Sequence, residues 1–155
     1  MTLMDGDLDE LEINIILALQ EDARKSFKSI AKELNVSEGT ISNRVNRLTQ
    51  KGILKLEARV NPFALSTKVA ALLGINLKHR CHAQAVTEIR ALPNVNAVWV
   101  TTGKYDIFVE VMADSINDLN DFIFDRGINR VNGIESTETH IMLQSETKFF
   151  KISRE

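Results

Sequence analysis

The 155-residue chain is 44% hydrophobic and 26% charged, with a formal net charge of −2. That composition suits one ordinary globular domain or two small ones and excludes wholesale disorder. No apolar run approaches the roughly 20 residues of a membrane span, and the acidic stretch from Met1 to Asp9 lacks the basic region and apolar core of a secretory signal. Cys81 is the single cysteine, so no internal disulfide can form, and a soluble, cytoplasmic protein with no membrane partner is expected.

Read as a total, the charge argues against a polyanionic partner; its distribution argues for one. Before Ala23 the ionised residues are all acids: Asp5, Asp7, Asp9, Glu10, Glu12, Glu21 and Asp22. From Arg24 to Arg59 the bases are Arg24, Lys25, Lys28, Lys32, Arg44, Arg47, Lys51, Lys55 and Arg59, opposed only by Glu33, Glu38 and Glu57. A local basic segment is what phosphate contacts require.

Three helices are predicted in this region. Leu8, Leu11, Ile15 and Leu19 form one helical stripe, and Ile13 and Leu17 fall on the opposite side. A helix apolar on two sides packs against two things, here its own domain and a partner subunit. Phe27, Ile30, Ala31 and Leu34 mark a short second helix that ends near Asn35, a residue that tolerates the left-handed turn conformation. Ser37 caps a third helix from Glu38 to Gln50, with Thr40 where a capping box would have Glu or Gln. Ile41, Val45 and Leu48 point inward, and Gly52 stops the helix.

At about 100° per residue, Gly39, Asn43, Asn46 and Gln50 point outward, flanked by Thr40 and Arg47. Two short helices across a tight turn, the second presenting polar and cationic side chains, form a helix-turn-helix. Asn pairs with adenine and Arg with guanine in the major groove, so Asn43, Asn46 and Arg47 with Thr40 are the expected base-facing residues of a double-stranded DNA reader. Ser37, Thr40 and Ser42 reach phosphates or base edges; Lys28, Lys32, Arg44 and Lys51 suit phosphates. Glu38 and Gly39 complete the exposed first turn. Ile53 to Val60 alternates imperfectly and reads as a strand pair or short wing. The bland alternative is a three-helix bundle with a solvated charged face.

Asn61-Pro62 breaks the pattern and opens a linker. The expected division is 1–60 for the DNA-binding domain, 61–67 for the linker and 68–155 for a second domain. Beyond the linker the order is strand (Val69 to Leu77), helix (His82 to Leu92, ended by Pro93), strand (Val95 to Thr101), strand (Ile107 to Met112), helix (capped by Ser115, with Ile116, Leu119, Phe122 and Ile123) and strand (Glu135 to Gln144). This βαββαβ order is ferredoxin-like, an antiparallel sheet with helices on one face, and the fold class is α+β. The uncovered face predicts a homodimer. Trp99, Phe108, Met112 and Met142 read as core or interface residues. Thr102-Gly103-Lys104-Tyr105 fits a two-residue type II′ hairpin. Tyr105 and Asp106 beside it suit a ligand ammonium group, although spacing alone favours a plain hairpin with a surface aspartate.

These pieces together resemble the Lrp/AsnC, or feast/famine, family of transcription regulators. The likeness runs from Leu8 to Lys148 through LDELEINIILALQEDAR, SIAKELNVSEGTISNRVNRLTQKGIL, the NP linker, TTGKYDIFVEVM and ESTETHIMLQ, and TTGKYDIF and STET look nearest to the asparagine-responsive AsnC branch. The resemblance implies a winged helix-turn-helix followed by an amino-acid-binding regulatory domain, dimers that assemble into octamers, and an effector, with asparagine among the candidates, bound near the glycine hairpin. It places Gly103, Tyr105 and Asp106 on the hairpin motif, with Lys104 at its variable position. Thr101, Thr102, Thr137, Glu138, Thr139 and His140 are adjacent candidates. Asn35 departs from the glycine common at the turn. A nucleoid-associated, cytoplasmic regulator that is not an enzyme and has no metal or other cofactor is implied.

Two other chemistries are weighed and set aside. His79, Cys81 and His82 crowd one loop, but no second ligand pair lies at zinc-site spacing. Siroheme decarboxylases resemble this two-domain plan, but such an enzyme needs basic and imidazole residues converging on a carboxylate-rich substrate. Here two of the three histidines share the His79–His82 loop, and the basic excess sits on and beside the third helix.

Overall fold

The computed structural model describes residues 8–65, 68–78, 82–146 and 148–151, apart from the side chain of His82. His79 and Cys81, of the metal reading set aside above, and the linker residues Ser66 and Thr67 lie outside these ranges. The chain divides between Glu57 and Ala58 into two compact units.

The first unit holds helices α1 (Glu10–Glu21), α2 (Phe27–Glu33) and α3 (Glu38–Gln50). α1 begins in a reciprocal capping box: the Asp9 carboxylate accepts the Glu12 amide at 2.8 Å, and the Glu12 carboxylate accepts the Asp9 amide at 3.3 Å. Ser26 caps α2. Asn35 turns the chain at φ 53°, the left-handed conformation its side chain tolerates. Ile15, Leu19, Ile30, Ala31, Ile41 and Val45 form the buried centre. Ile13 and Leu17 stay exposed on the far side of α1, as the two-sided pattern requires. α3 ends at Gly52, φ 68°.

Among the described residues, the segment read as a strand pair or short wing does not pair. Residues 53–59 carry no ladder, and Val60 instead bridges Phe150 within the second unit. A strand needs a partner edge, and alternation over a few residues does not supply one.

The second unit holds β1 (Val69–Leu77), α4 (His82–Arg90), β2 (Val95–Val100), β3 (Ile107–Ala113), α5 (Ile116–Asp121) and β4 (Ile134–Ile141). The sheet is antiparallel in the order β2-β3-β1-β4. Leu73, Ile75, Ile107, Val109 and Val111 point to the helical side and pack with Ile89, Leu119 and Phe122. Each such burial contributes about 1.5–3 kcal/mol before entropy is counted.

α5 continues into a wide turn, Phe122–Arg126, where the Gly127 amide donates to the Phe122 carbonyl. A Cβ at Gly127 would lie 2.4 Å from that carbonyl oxygen, so the turn requires glycine. A single helical turn, Ile128–Arg130, then leads into β4. The sequence reading missed both turns.

On the opposite face of the sheet, Phe150, Phe63, Met142, Ala70 and Met112 cluster at one end. On the same face Tyr105 lies over Gly74, and Lys148 Nζ lies 3.2 Å from the buried Glu110 carboxylate and 5.7 Å from the Trp99 ring centroid. Leu72, Trp99, Thr101, Phe108, Glu110 and Met142 line a shallow apolar depression of about 400 Å³ there. No helix among the described residues is long and apolar enough to cross a membrane.

Candidate functional site

α3 is mounted on α1 through charge. Glu12 is 4% exposed, and its Oε1 accepts from Arg47 Nε at 3.1 Å and from Arg47 Nη2. Arg44 Nη1 donates to Asp9 Oδ2 and lies 3.6 Å from Glu12 Oε1. The Arg47 hydrogen bond holds the Glu12 carboxyl below its ordinary range. The Glu12 amide, and then Arg44, do the same for Asp9. The N-terminal acids therefore neutralise two arginines of the helix expected to face DNA. The D-x-x-E capping signature at Asp9–Glu12 was visible in the sequence; the long-range ion pairs were not.

The remaining α3 positions divide cleanly. Ser37 Oγ accepts the Thr40 amide at 3.0 Å and lies 2.8 Å from Thr40 Oγ1, which closes the helix cap. Gly39, Asn43, Asn46 and Gln50 are exposed. Among the described residues, no side-chain hydrogen bond engages the three carboxamides. Asn is a poor helix former, and glycine costs about 1 kcal/mol against alanine in a helix interior. A Cβ at Gly39 would meet only Ser37 Oγ, at an ordinary 3.7 Å. Nothing among the described residues of the unit requires these residues. Ser42 is half-buried, and Glu38 and Lys51 are exposed.

The second cluster lies where β3, β1 and β4 meet. Phe108 pairs with Gly74, and Gly74 pairs with Glu138. The Tyr105 ring lies over Gly74: a Cβ there would be 2.7 Å from ring carbons. Gly74 was not foreseen from the sequence, although a lone glycine inside a strand does signal a close approach. Tyr105 also meets the Phe108 ring edge-on, centroids 5.3 Å apart.

Glu138 gathers two donors and an imidazole. Tyr105 Oη donates to its Oε2, Lys104 Nζ lies 2.8 Å from the same oxygen, and His140 Nε2 is 3.3 Å from Oε1. The Lys104 Nζ also sits 4.8 Å from the Tyr105 ring centroid. The Lys104 hydrogen bond, and then that of Tyr105, hold the Glu138 carboxyl below its ordinary range. The same bonds push the Lys104 ammonium pKa upward.

The connection between β2 and β3 is wider than the two-residue turn expected. It spans Thr101 to Asp106, closed by Thr101 N donating to Asp106 O at 3.0 Å and Thr101 Oγ1 donating to Tyr105 O at 2.8 Å. Asp106 sets this width: its amide donates to Ile75 O at 3.0 Å, and its Oδ2 accepts the Leu77 amide at 2.8 Å. The aspartate thus caps the end of β1. Gly103 takes φ 117°, and Thr102 and Gly103 are exposed.

The last-strand candidates fall on two faces, because side chains alternate along a strand. Glu138 and His140 share the Tyr105 face. Thr137 and Thr139 point the other way, and Thr137 lines a separate hollow with Ile123, Phe124 and Ile134.

Residues 70–149 match the Lrp/AsnC ligand binding domain, and residues 8–55 match a winged helix-turn-helix DNA-binding domain. An HTH-type transcriptional regulator of Pyrococcus horikoshii is 35% identical over 137 residues, covering 88% of this chain and 86% of that protein. Ptr1, an HTH-type transcriptional regulator of Methanocaldococcus jannaschii, is 35% identical over 133 residues, covering 84% and 90%. The solved structure of Escherichia coli AsnC is 34% identical, with a TM-score of 0.71 over 92% of this chain and 97% of that one. A Neisseria meningitidis regulator solved as an L-Met complex shares the fold at 18% identity, with a TM-score of 0.71 over 92% of this chain and 94% of that one. The N-terminal helix-turn-helix, the ligand-binding sheet and these likenesses place the chain in the Lrp/AsnC family of DNA-binding transcriptional regulators, a family of regulators and not of enzymes.

Proposed function

We propose that the chain is an oligomeric repressor or activator whose hold on DNA is tuned by an amino acid at the Tyr105–Glu138 cluster. The carrying observation is chemical complementarity. Glu138 offers a carboxylate to an ammonium group, while Lys104 beside it, and His140 when protonated, offer positive charge to a carboxylate. Thr101, Thr102, Gly103 and Asp106 shape the adjoining loop. The complex of the Neisseria regulator with L-Met supports an amino acid as the ligand class, and asparagine, which the sequence resemblance implies, is the first to try. The ligand acts by differential affinity for two assemblies.

The twenty amino acids, screened by thermal melting, test this reading. A ligand that binds the native state raises the midpoint. One or a few are expected to do so; no shift with any of them removes the amino-acid effector.

The DNA-facing surface is α3 with its flanks: Ser37, Glu38, Gly39, Thr40, Ser42, Asn43, Asn46 and Lys51, while Arg44 and Arg47 brace the helix against Asp9 and Glu12 of α1. In a dimer, two such helices enter successive major grooves about 34 Å apart. Gly39→Ala is expected to stabilise the helix by up to ~1 kcal/mol and to weaken DNA binding severalfold, because its methyl group intrudes on the contact. Equal or tighter DNA binding in a mobility-shift titration would remove Gly39 from the interface.

The sheet face opposite the helices is the proposed homodimer surface. Leu72, Phe108 and Met142 line it, and Trp99 is 42% exposed there. Trp99→Glu is expected to give monomers in sedimentation velocity, since it removes the exposed indole and buries a second carboxylate beside Glu110, with Lys148 already paired to Glu110; a variant that remains dimeric would move the interface elsewhere. Dimers joined further give the octamer. The working compartment is the cytoplasm, where DNA is available to a nucleoid-associated regulator.

A further inference from the structure

We infer that α3 reads adenine–thymine base pairs through a carboxamide stripe of Asn43, Asn46 and Gln50, while Arg44 and Arg47 position the helix on α1 and read no guanine. The inference rests on the DNA-binding reading above and names its specificity.

Three observations carry it. The arginines are engaged: Arg47 gives two donors to a carboxylate that is 4% exposed, and Arg44 bridges to Asp9. Withdrawing Arg47, whose side chain is 47% exposed, to a base strands the buried Glu12 carboxylate, and removing the partner of a buried charge is the costly direction. The carboxamides are available: all three are exposed on one outward line of the helix, and none is held by a side-chain hydrogen bond among the described residues. Gly39 heads that same line with open room for a Cβ, so its small size serves what lies outside the unit.

Asn and Gln present a donor and an acceptor together, and adenine alone displays the matching N6 donor and N7 acceptor in the major groove. The stripe carries no charge, so it supplies sequence preference. Affinity must then come from phosphate contacts by the lysines around it, such as Lys28, Lys32 and Lys51.

The test is selection from a random duplex pool by the full chain, followed by sequencing. The expected half-site core is A·T. Asn43→Ala and Asn46→Ala each relax the adenine preference at one position, on the order of tenfold. Arg47→Met leaves the base preferences unchanged and lowers the melting midpoint. If that variant does not fold, the pair Glu12→Gln with Arg47→Met removes the stranded charge and carries the same test. A guanine enriched in the half-site and lost in either arginine variant overturns the inference. If nothing is enriched and retention on DNA does not depend on salt, the DNA-binding reading fails and the inference falls with it.

Discussion

Arg47→Met should lower the melting midpoint of the N-terminal unit by on the order of 5–15 °C. The substitution keeps the aliphatic bulk and removes the guanidinium, so Glu12, 4% exposed, loses both of its short donors. Arg44 at 3.6 Å offers only partial compensation. The double variant Glu12→Gln, Arg47→Met should recover most of the loss, because a neutral amide does not require the cation. Circular dichroism melts of the four proteins in the cycle measure this, and additive losses would mean that the pair is not coupled.

The pH dependence follows from the same bond. The Glu12 carboxyl is held below its ordinary 4.5 in the fold. Its ionisation therefore stabilises the native unit above about pH 4.5, and that contribution drains away as the pH falls through the depressed value. In Arg47→Met the burial remains without the partner. The gap between wild type and variant is then widest near neutrality and narrows in acid.

Gly74→Ala has the second large effect. The new methyl group would sit 2.7 Å from the Tyr105 ring, and the ring must leave its seat. Displacement breaks the Tyr105 hydrogen bond to Glu138 and opens the Lys104–Tyr105 stack. The expected result is a loss of about 1–3 kcal/mol from overpacking and the disappearance of any amino-acid-induced rise in melting midpoint. Gly74→Ala combined with Tyr105→Ala should regain stability without regaining the ligand response. If calorimetry gives Gly74→Ala the same amino-acid affinity as wild type, the cluster is not the effector site.

Local signals were legible in the sequence. The two-sided stripe of α1 is observed, with Ile15 and Leu19 inside and Ile13 and Leu17 exposed. Asn35 takes the left-handed turn and Gly52 ends α3. The βαββαβ order yields the β2-β3-β1-β4 sheet. What could not be read was set by contacts far apart in sequence. Asp106 widens the hairpin because its carboxylate and amide serve the end of β1. The acids near the N-terminus looked like a solvated block, yet Asp9 and Glu12 pair with arginines 35 positions away. Alternation alone would have put Thr137 and Glu138 on opposite faces, a distinction that grouping them as neighbours obscured.

Specific DNA binding by the outward face of α3, on a unit braced by Asp9 and Glu12, is proposed here. It is tested most directly by the ratio of specific to non-specific DNA affinity, measured by anisotropy across a salt series for wild type and for Asn43→Ala, Asn46→Ala. The wild-type chain should bind a selected duplex at least 10³-fold more tightly than a scrambled one, with log affinity falling linearly with log salt. The double variant should keep that salt slope and lose most of the ratio. An unchanged ratio in the double variant, or a wild type that does not distinguish the two duplexes, would contradict the account.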